Sequence, residues 1–230
     1  MIVGRGLLAR AFEAHFGGTT DVVVFASGVS NSLETRPSEF AREAALLRQW
    51  LDRDARRFIY FSSCGVTADE LEHTLYMRHK RSMEALALAA SGGLVLRLPQ
   101  VVGKTDNSHT LTNFLRDRIL AGEHFTVWEH AERNLVDVND VAAIGAALVG
   151  APFADKSSPI SIAAETSVPM PAIVSMFERA LERRANCTMV NKGAPLPVDA
   201  RTAVEVGARM GINLGAGYIE NVIRKYYALK

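Results

Sequence analysis

The stretch Met1-Ile-Val-Gly-Arg-Gly-Leu-Leu-Ala9 decides the fold. Met1–Val3 reads as a very short strand, Gly4-Arg5-Gly6 as a tight turn, and Leu7 onward as a helix burying Leu7, Leu8, Ala11 and Phe12. A strand turning through Gly-x-Gly into a helix, with the small Ala9 three residues on, is the context of a dinucleotide fingerprint. The first glycine permits the turn. The second lets a pyrophosphate approach the backbone, and Ala9 lets helix and sheet pack closely. Free N–H groups at the helix start then hold the phosphates, which makes Gly4, Arg5, Gly6, Leu7 and Leu8 candidate cofactor contacts. The same pattern also serves as a ligand-free turn. An acidic residue about twenty positions on, holding the adenosine ribose, would tell the two apart. None is found: that distance falls within Val22-Val23-Val24, and Asp21 sits at the wrong end of the strand. Only Gly17-Gly18-Thr19-Thr20 separates the first helix from this strand, so a strand–helix–strand excursion is missing.

Downstream, apolar runs alternate with helical patterns, the signature of a parallel sheet with crossover helices. Asp21–Ala26 reads as a buried strand ended by Ser27-Gly28. Ser38 is a candidate cap for a helix with Phe40, Ala44, Leu47 and Leu51 on one face. Phe58–Phe61 is the next strand, stopping at Ser62-Ser63-Cys64-Gly65. A helix from about His73 to Ala90 carries Tyr76 and Lys80, Gly92-Gly93 ends it, and Leu94–Leu98 is a further strand. Beyond Pro99 the elements shorten. They are a strand over Val136–Val138, a helix over Val141–Leu148 capped by Asn139 or Asp140, and a strand over Ile160–Ala163. A helix over Pro171–Arg183, a strand over Cys187–Val190 and two terminal helices complete the chain, which is expected to form one compact unit.

Composition narrows the classes of function. The 230 residues carry 26 basic and 25 acidic side chains with no basic block, so nothing asks for nucleic acid or an anionic membrane. The longest apolar stretches, Ala85–Ala90 and Val141–Val149, are too short to span a bilayer, and the start of the chain has no leader pattern. Two cysteines, Cys64 and Cys187, make no disulfide framework. The expectation is a cytoplasmic globular protein. No metal site is expected, because no HExxH or CxxC is present; His73 and His79 read as surface residues.

Tyr76 and Lys80 lie four apart on one helix face. A free tyrosine titrates near about 10, and a neighbouring ammonium is expected to lower that value and make the hydroxyl a usable acid and base. A serine at the end of the preceding strand can hold the same substrate oxygen. Ser63 is the candidate, with Ser62 in reserve. The plainer alternative is a half-buried helix tyrosine beside a solvated lysine.

At these residues the sequence resembles the extended short-chain dehydrogenase/reductases, the NAD-dependent epimerase/dehydratase group, over nearly its whole length. Asp21-Val-Val-Val-Phe-Ala-Ser-Gly28 is similar to the family's fourth strand and the turn touching cofactor ribose, which implies contacts from Ala26, Ser27 and Gly28. Phe58-Ile-Tyr-Phe-Ser-Ser63 resembles the strand delivering the catalytic serine or threonine. Tyr76-Met-Arg-His-Lys80, with Met83-Glu84 following, resembles the active-site helix. Leu96-Arg-Leu-Pro-Gln-Val-Val-Gly103 is similar to the segment beside the nicotinamide, which implies cofactor contacts from Pro99 and Val101 and a substrate contact from Gln100. Arg133-Asn-Leu-Val-Asp-Val-Asn-Asp-Val141 resembles the late strand and turn whose arginine meets a nucleotide diphosphate. The tail from Leu196 through Gly211 to Tyr226 has the family's closing pattern.

The resemblance implies a Rossmann-like α/β fold: a parallel sheet with flanking helices, truncated at one edge, and a small C-terminal substrate-binding subdomain. The Rossmann-like part spans about 1–105 and 134–163, and the substrate-binding part about 106–133 and 164–230. It implies NAD or NADP as cofactor, Ser63, Tyr76 and Lys80 as catalytic residues, Ser62, Tyr76 and Lys80 also at the cofactor, a nucleotide sugar as substrate, and a homodimer. Three departures stand out. The family's second and third strands are absent, Thr67-Ala68 replaces its Tyr-Gly, and Cys64-Gly65 replaces the acid pair of the dehydratases. Ser-Ser-Cys instead resembles epimerase/reductases in which a cysteine takes part, which makes Cys64 a candidate substrate contact; the alternative is a small buried thiol. Two other functions remain open at this point: a cofactor-free interaction module on the same scaffold, and a reductase of a non-sugar ketone.

Overall fold

The computed structural model describes residues 1–53, 55–67, 74–150 and 158–229. Contacts gather the chain into two units, Met1–Leu98 with Val138–Ile162, and Pro99–Asp137 with Ala163–Lys230.

In chain order the elements are β1 (Ile2–Val3), α1 (Leu7–Phe16), β2 (Val22–Phe25), α2 (Pro37–Leu51), β3 (Arg57–Ser63) and a 3-10 turn over Cys64–Thr67. Then come α3 (Leu75–Ala89), β4 (Gly93–Leu98), β5 (Gln100–Val102), α4 (Leu111–Ala121), β6 (Phe125–Trp128), β7 (Glu132–Arg133) and β8 (Leu135–Asp137). The rest are α5 (Val138–Gly150), β9 (Ile160–Ser161), β10 (Val168–Pro169), α6 (Met170–Leu181), β11 (Cys187–Val190), α7 (Arg201–Arg209) and α8 (Tyr218–Tyr227).

The first unit is built on a parallel sheet in the order β1-β2-β3-β4-β9. Each strand shows its two faces to different helices, as a period of two requires. Val23 and Phe25 of β2, Phe58 and Tyr60 of β3 and Val95 of β4 join Leu47 of α2 and Met83 and Ala87 of α3 in one core. On the other face, Phe12 of α1 meets Phe61 edge-on at 5.0 Å, and Gly145 of α5 packs so closely that a Cβ there would sit 2.8 Å from the Phe12 ring. This is the expected Rossmann-like arrangement. Among the described residues β1 is the edge of this sheet, paired with β2 through Ile2↔Val24 and Val3↔Phe25.

Local chemistry fixes the ends of the elements that carry the site. Thr74 caps α3, its hydroxyl accepting the Met77 N–H at 3.2 Å. Gly93 closes the turn after α3, where a Cβ would fall 1.9 Å from the Ala87 carbonyl oxygen. Helix α2 starts differently from the expectation. Pro37 supplies its first turn and Arg36 occupies the cap position, so Ser38 lies inside the helix. Helix α5 also begins earlier than expected, at Val138 rather than after Asn139 or Asp140.

The second unit consists of short pairs and four helices. Strands β5 and β8 run parallel, as do β6 and β11, while β7 and β10 are antiparallel. Asn134 ties the unit together: its buried amide both donates to and accepts from the Ala164 backbone at 2.9 Å. Asp137 receives the Tyr226 hydroxyl at 2.9 Å and the Lys225 ammonium. Helix α4 forms where the sequence reading places no element, capped by Thr110 and closed by Gly122 at φ +68. No described helix is long and apolar enough to cross a membrane.

Candidate active site

The glycine turn comes first. Gly4 has φ +130, and a Cβ there would lie 2.4 Å from the Ala26 carbonyl oxygen. Gly6 precedes the first turn of α1, which has neither an acidic side chain nor a side-chain cap, and the space where its Cβ would point is open to 4 Å. Bare N–H groups beside open space fit a diphosphate. Arg5 is exposed; Leu7 and Leu8 are half-buried. Ala26, Ser27 and Gly28 follow β2 directly and are half-buried too.

The second cluster gathers around α3. Tyr76 packs with Val29, Val66, Met77 and Phe40, and it is 7% exposed. No hydrogen bond to its hydroxyl is found among the described residues. Lys80 lies on the same helix face, its Nζ 5.7 Å from the centre of the Tyr76 ring. That ammonium is spoken for. It donates to Glu43 Oε1 at 3.1 Å and to the Tyr60 hydroxyl at 3.1 Å, and it is 3% exposed.

Glu43, from the middle of α2, has no counterpart in the sequence reading. Its carboxylate is fully buried and takes four hydrogen bonds. Oε1 accepts from the Tyr60 hydroxyl at 2.7 Å and from Lys80 at 3.1 Å; Oε2 accepts from the Val29 N–H at 2.6 Å and faces His79 Nε2 at 3.0 Å. His79, expected at the surface, is instead a half-buried partner, with its ring 4.7 Å from that of Phe40. His73 lies outside the described residues.

The electrostatics run against one expectation. Burial pushes the Tyr76 phenol up, and Glu43 adds to that, so Lys80 does not pull it down. Burial likewise lowers Lys80, with Glu43 opposing. For Glu43 burial alone would raise the carboxyl, yet His79, Lys80, the Val29 N–H and Tyr60 together take it down to about 2.

The two serines separate cleanly. Ser63 is half-buried, and its Oγ accepts the Gly65 N–H at 3.1 Å, which leaves its O–H free to donate. Ser62 Oγ is buried without a partner among the described residues. Cys64 is 2% exposed. Burial pushes its thiol up to about 12, so it is held as a neutral thiol. Glu84 and Arg97 form a bidentate pair at 2.7 and 2.9 Å.

In the second unit, Pro99 and Val101 are half-buried and Gln100 is exposed. Arg133 is half-buried; its Nη1 donates to the Glu132 carbonyl at 2.7 Å. No carboxylate pairs with it among the described residues, and burial lowers its pKa.

Residues 5–163 match the family model of the NAD dependent epimerase/dehydratase family. The chain belongs to that family. Among solved structures, it is similar to a UDP-N-acetylglucosamine 4-epimerase from Bacillus cereus, with 16% identity over 97% of this chain and 82% of that one and a TM-score of 0.65. It is also similar to RMD from Pseudomonas aeruginosa complexed with NADPH, with 15% identity over 97% and 96% of the two chains and a TM-score of 0.69. A Thermus thermophilus UDP-glucose 4-epimerase complexed with NAD gives 16% identity over 94% and 79%, with a TM-score of 0.66. At these identities the likeness is one of fold. No curated protein matches the chain.

Proposed function

We propose that this family member is a nicotinamide-dependent oxidoreductase or epimerase acting at a carbonyl or carbinol carbon of a nucleotide sugar. The observation that supports the reading is Tyr76 and Lys80 side by side on α3, in the same unit as Ser63 at the end of β3, with a phenol that has no hydrogen-bond partner among the described residues. Structures of similar fold hold NAD or NADPH, and two hold UDP-glucuronic acid with NAD.

Gly4, Arg5, Gly6, Leu7 and Leu8 would hold the cofactor diphosphate, and Ala26, Ser27 and Gly28 its ribose. The nicotinamide, when bound, supplies or accepts the hydride. Tyr76 stays neutral in the free protein, so its hydroxyl is a proton donor to a substrate oxygen. Ser63 orients the same oxygen. Two of the three Lys80 N–H donors are used internally, leaving one for the cofactor ribose or the phenol. Arg133, half-buried and without a counter-charge among the described residues, suits a diphosphate.

Calorimetric titration with NADH, NADPH and several UDP-sugars tests the reading. One dinucleotide should bind, and Tyr76→Phe should cut turnover by about 10²–10⁴-fold with its unfolding curve unchanged. Unchanged turnover would remove Tyr76 from the chemistry. Two observations favour a second reading, a cofactor-free module on this scaffold: β1 ends the sheet, and Glu43 holds Lys80. Failure of both dinucleotides to bind at millimolar concentration would select it.

A further inference from the structure

We propose that Glu43 is a positioning residue of this site, whose buried carboxylate anchors the Lys80 ammonium against the Gly28 turn and holds it beside Tyr76. The inference rests on reading Tyr76 and Lys80 as the working pair. It starts from the bonding capacity of a carboxylate, which offers about four lone-pair sites. Here all four are taken, by Tyr60 and Lys80 on one oxygen and by Val29 and His79 on the other. The donors come from β3, from α3 and from the turn after β2, while Glu43 itself stands on α2. A group gripped from four directions has one position.

The lysine has no such saturation and depends on that grip. Fully out of water, an ammonium without a counter-ion gives up its proton. The charged and titratable groups around it are Glu43 and Arg42 from α2, Tyr60 from β3, and Tyr76, His79 and Glu84 from α3. Glu84 is engaged by Arg97, which leaves Glu43 as the carboxylate in direct contact among the described residues. Gly28 shapes the other side. A Cβ at Gly28 would lie 2.8 Å from Glu43 Oε1 and 2.9 Å from Lys80 Nζ, so the turn is cut to fit the pair.

The test reads the amine itself. Protein carrying ¹³C-labelled lysine has six side chains to resolve, and the Lys80 Cε resonance is assigned with Lys80→Arg. In the wild-type chain this resonance should keep its ammonium shift through neutral pH. In Glu43→Gln its midpoint should fall by at least about one pH unit, a tenfold loss in proton affinity; Glu43→Asp should recover part of it. Equal midpoints in wild type and Glu43→Gln overturn the proposal. Where Glu43→Gln does not fold, the double variant Glu43→Gln/Lys80→Met decides. If it folds, the carboxylate is needed to balance Lys80, as proposed; if it does not, the carboxylate serves Val29, Tyr60 and His79 alone and the proposal falls. Turnover gives a second readout, because Glu43→Gln should lose activity as pH rises through the lowered midpoint. The resonance needs neither cofactor nor substrate, so a missing oxidoreductase activity and a missing Glu43–Lys80 coupling are separate results.

Discussion

Two cations leave water in opposite ways in the two units of this chain. Lys80 is 3% exposed and matched by a carboxylate that is itself saturated. Arg133 is half-buried and meets only a backbone carbonyl among the described residues. Burying a charge costs several kcal/mol unless it is paired. The first site meets that cost within the chain, and at the second no described carboxylate does. A cation balanced internally serves geometry, whereas one left unbalanced is a place for an anion to bind.

This contrast breaks most directly at Glu43. Glu43→Ala should destabilise the protein by about 3–5 kcal/mol, because it strands the Lys80 ammonium. Urea unfolding measures it, and a loss below about 1 kcal/mol would mean that Lys80 sheds its proton at little cost.

Acid tests the same pair without mutation. The Glu43 carboxyl is depressed in the fold, from an ordinary 4.5 to about 2. Its contribution is therefore present above the unfolded value and lost as pH falls toward the folded one. Between pH 5 and pH 2 the wild-type chain should lose about 3 kcal/mol that the Glu43→Gln/Lys80→Met variant does not lose. Parallel acid curves would show that the pair contributes nothing net.

Arg133→Met sharpens the other side of the comparison. It should leave the free protein as stable or slightly more so, since it removes an unbalanced cation. It should weaken binding of a UDP-sugar by about 10- to 100-fold in calorimetry. Unaltered affinity would return Arg133 to a purely local role. The smallest effect is expected at Gly28→Ala, about 1–2 kcal/mol of destabilisation as the new methyl presses on Glu43 and Lys80. Thermal unfolding would show it, and a neutral result would mean that the turn yields freely.

How much of this was legible in the residues differs between the units. In the first, β1, β2, β3 and β4 are apolar runs alternating with helical patterns, and a parallel sheet is legible because it writes itself as that alternation. The spacing of Tyr76 and Lys80 does put them on one face of α3, and Ser63 does close β3; what the three do there belongs to the proposal. Glu43 was not legible, although it stands three residues after Phe40 and four before Leu47, on the apolar face of α2. A charged residue on such a face is read as its polar margin until its partner is known, and that partner lies 37 positions away. His79 was misplaced for the same reason. In the second unit β5, β7, β8 and β10 have two or three residues each, too few for any period to show. Helix α4 is marked by its ends alone, Thr110 and Gly122, since its interior residues show no strong apolar stripe.

The two glycines of the first turn answer to different masters. Gly4 is demanded by the protein's own backbone, through its φ and the carbonyl of Ala26 pressed against it. Gly6 meets nothing. A chain of this fold that had abandoned its coenzyme would therefore still need glycine at position 4, while position 6 would be released to drift. Of the two letters in the fingerprint, only the second carries news about a ligand.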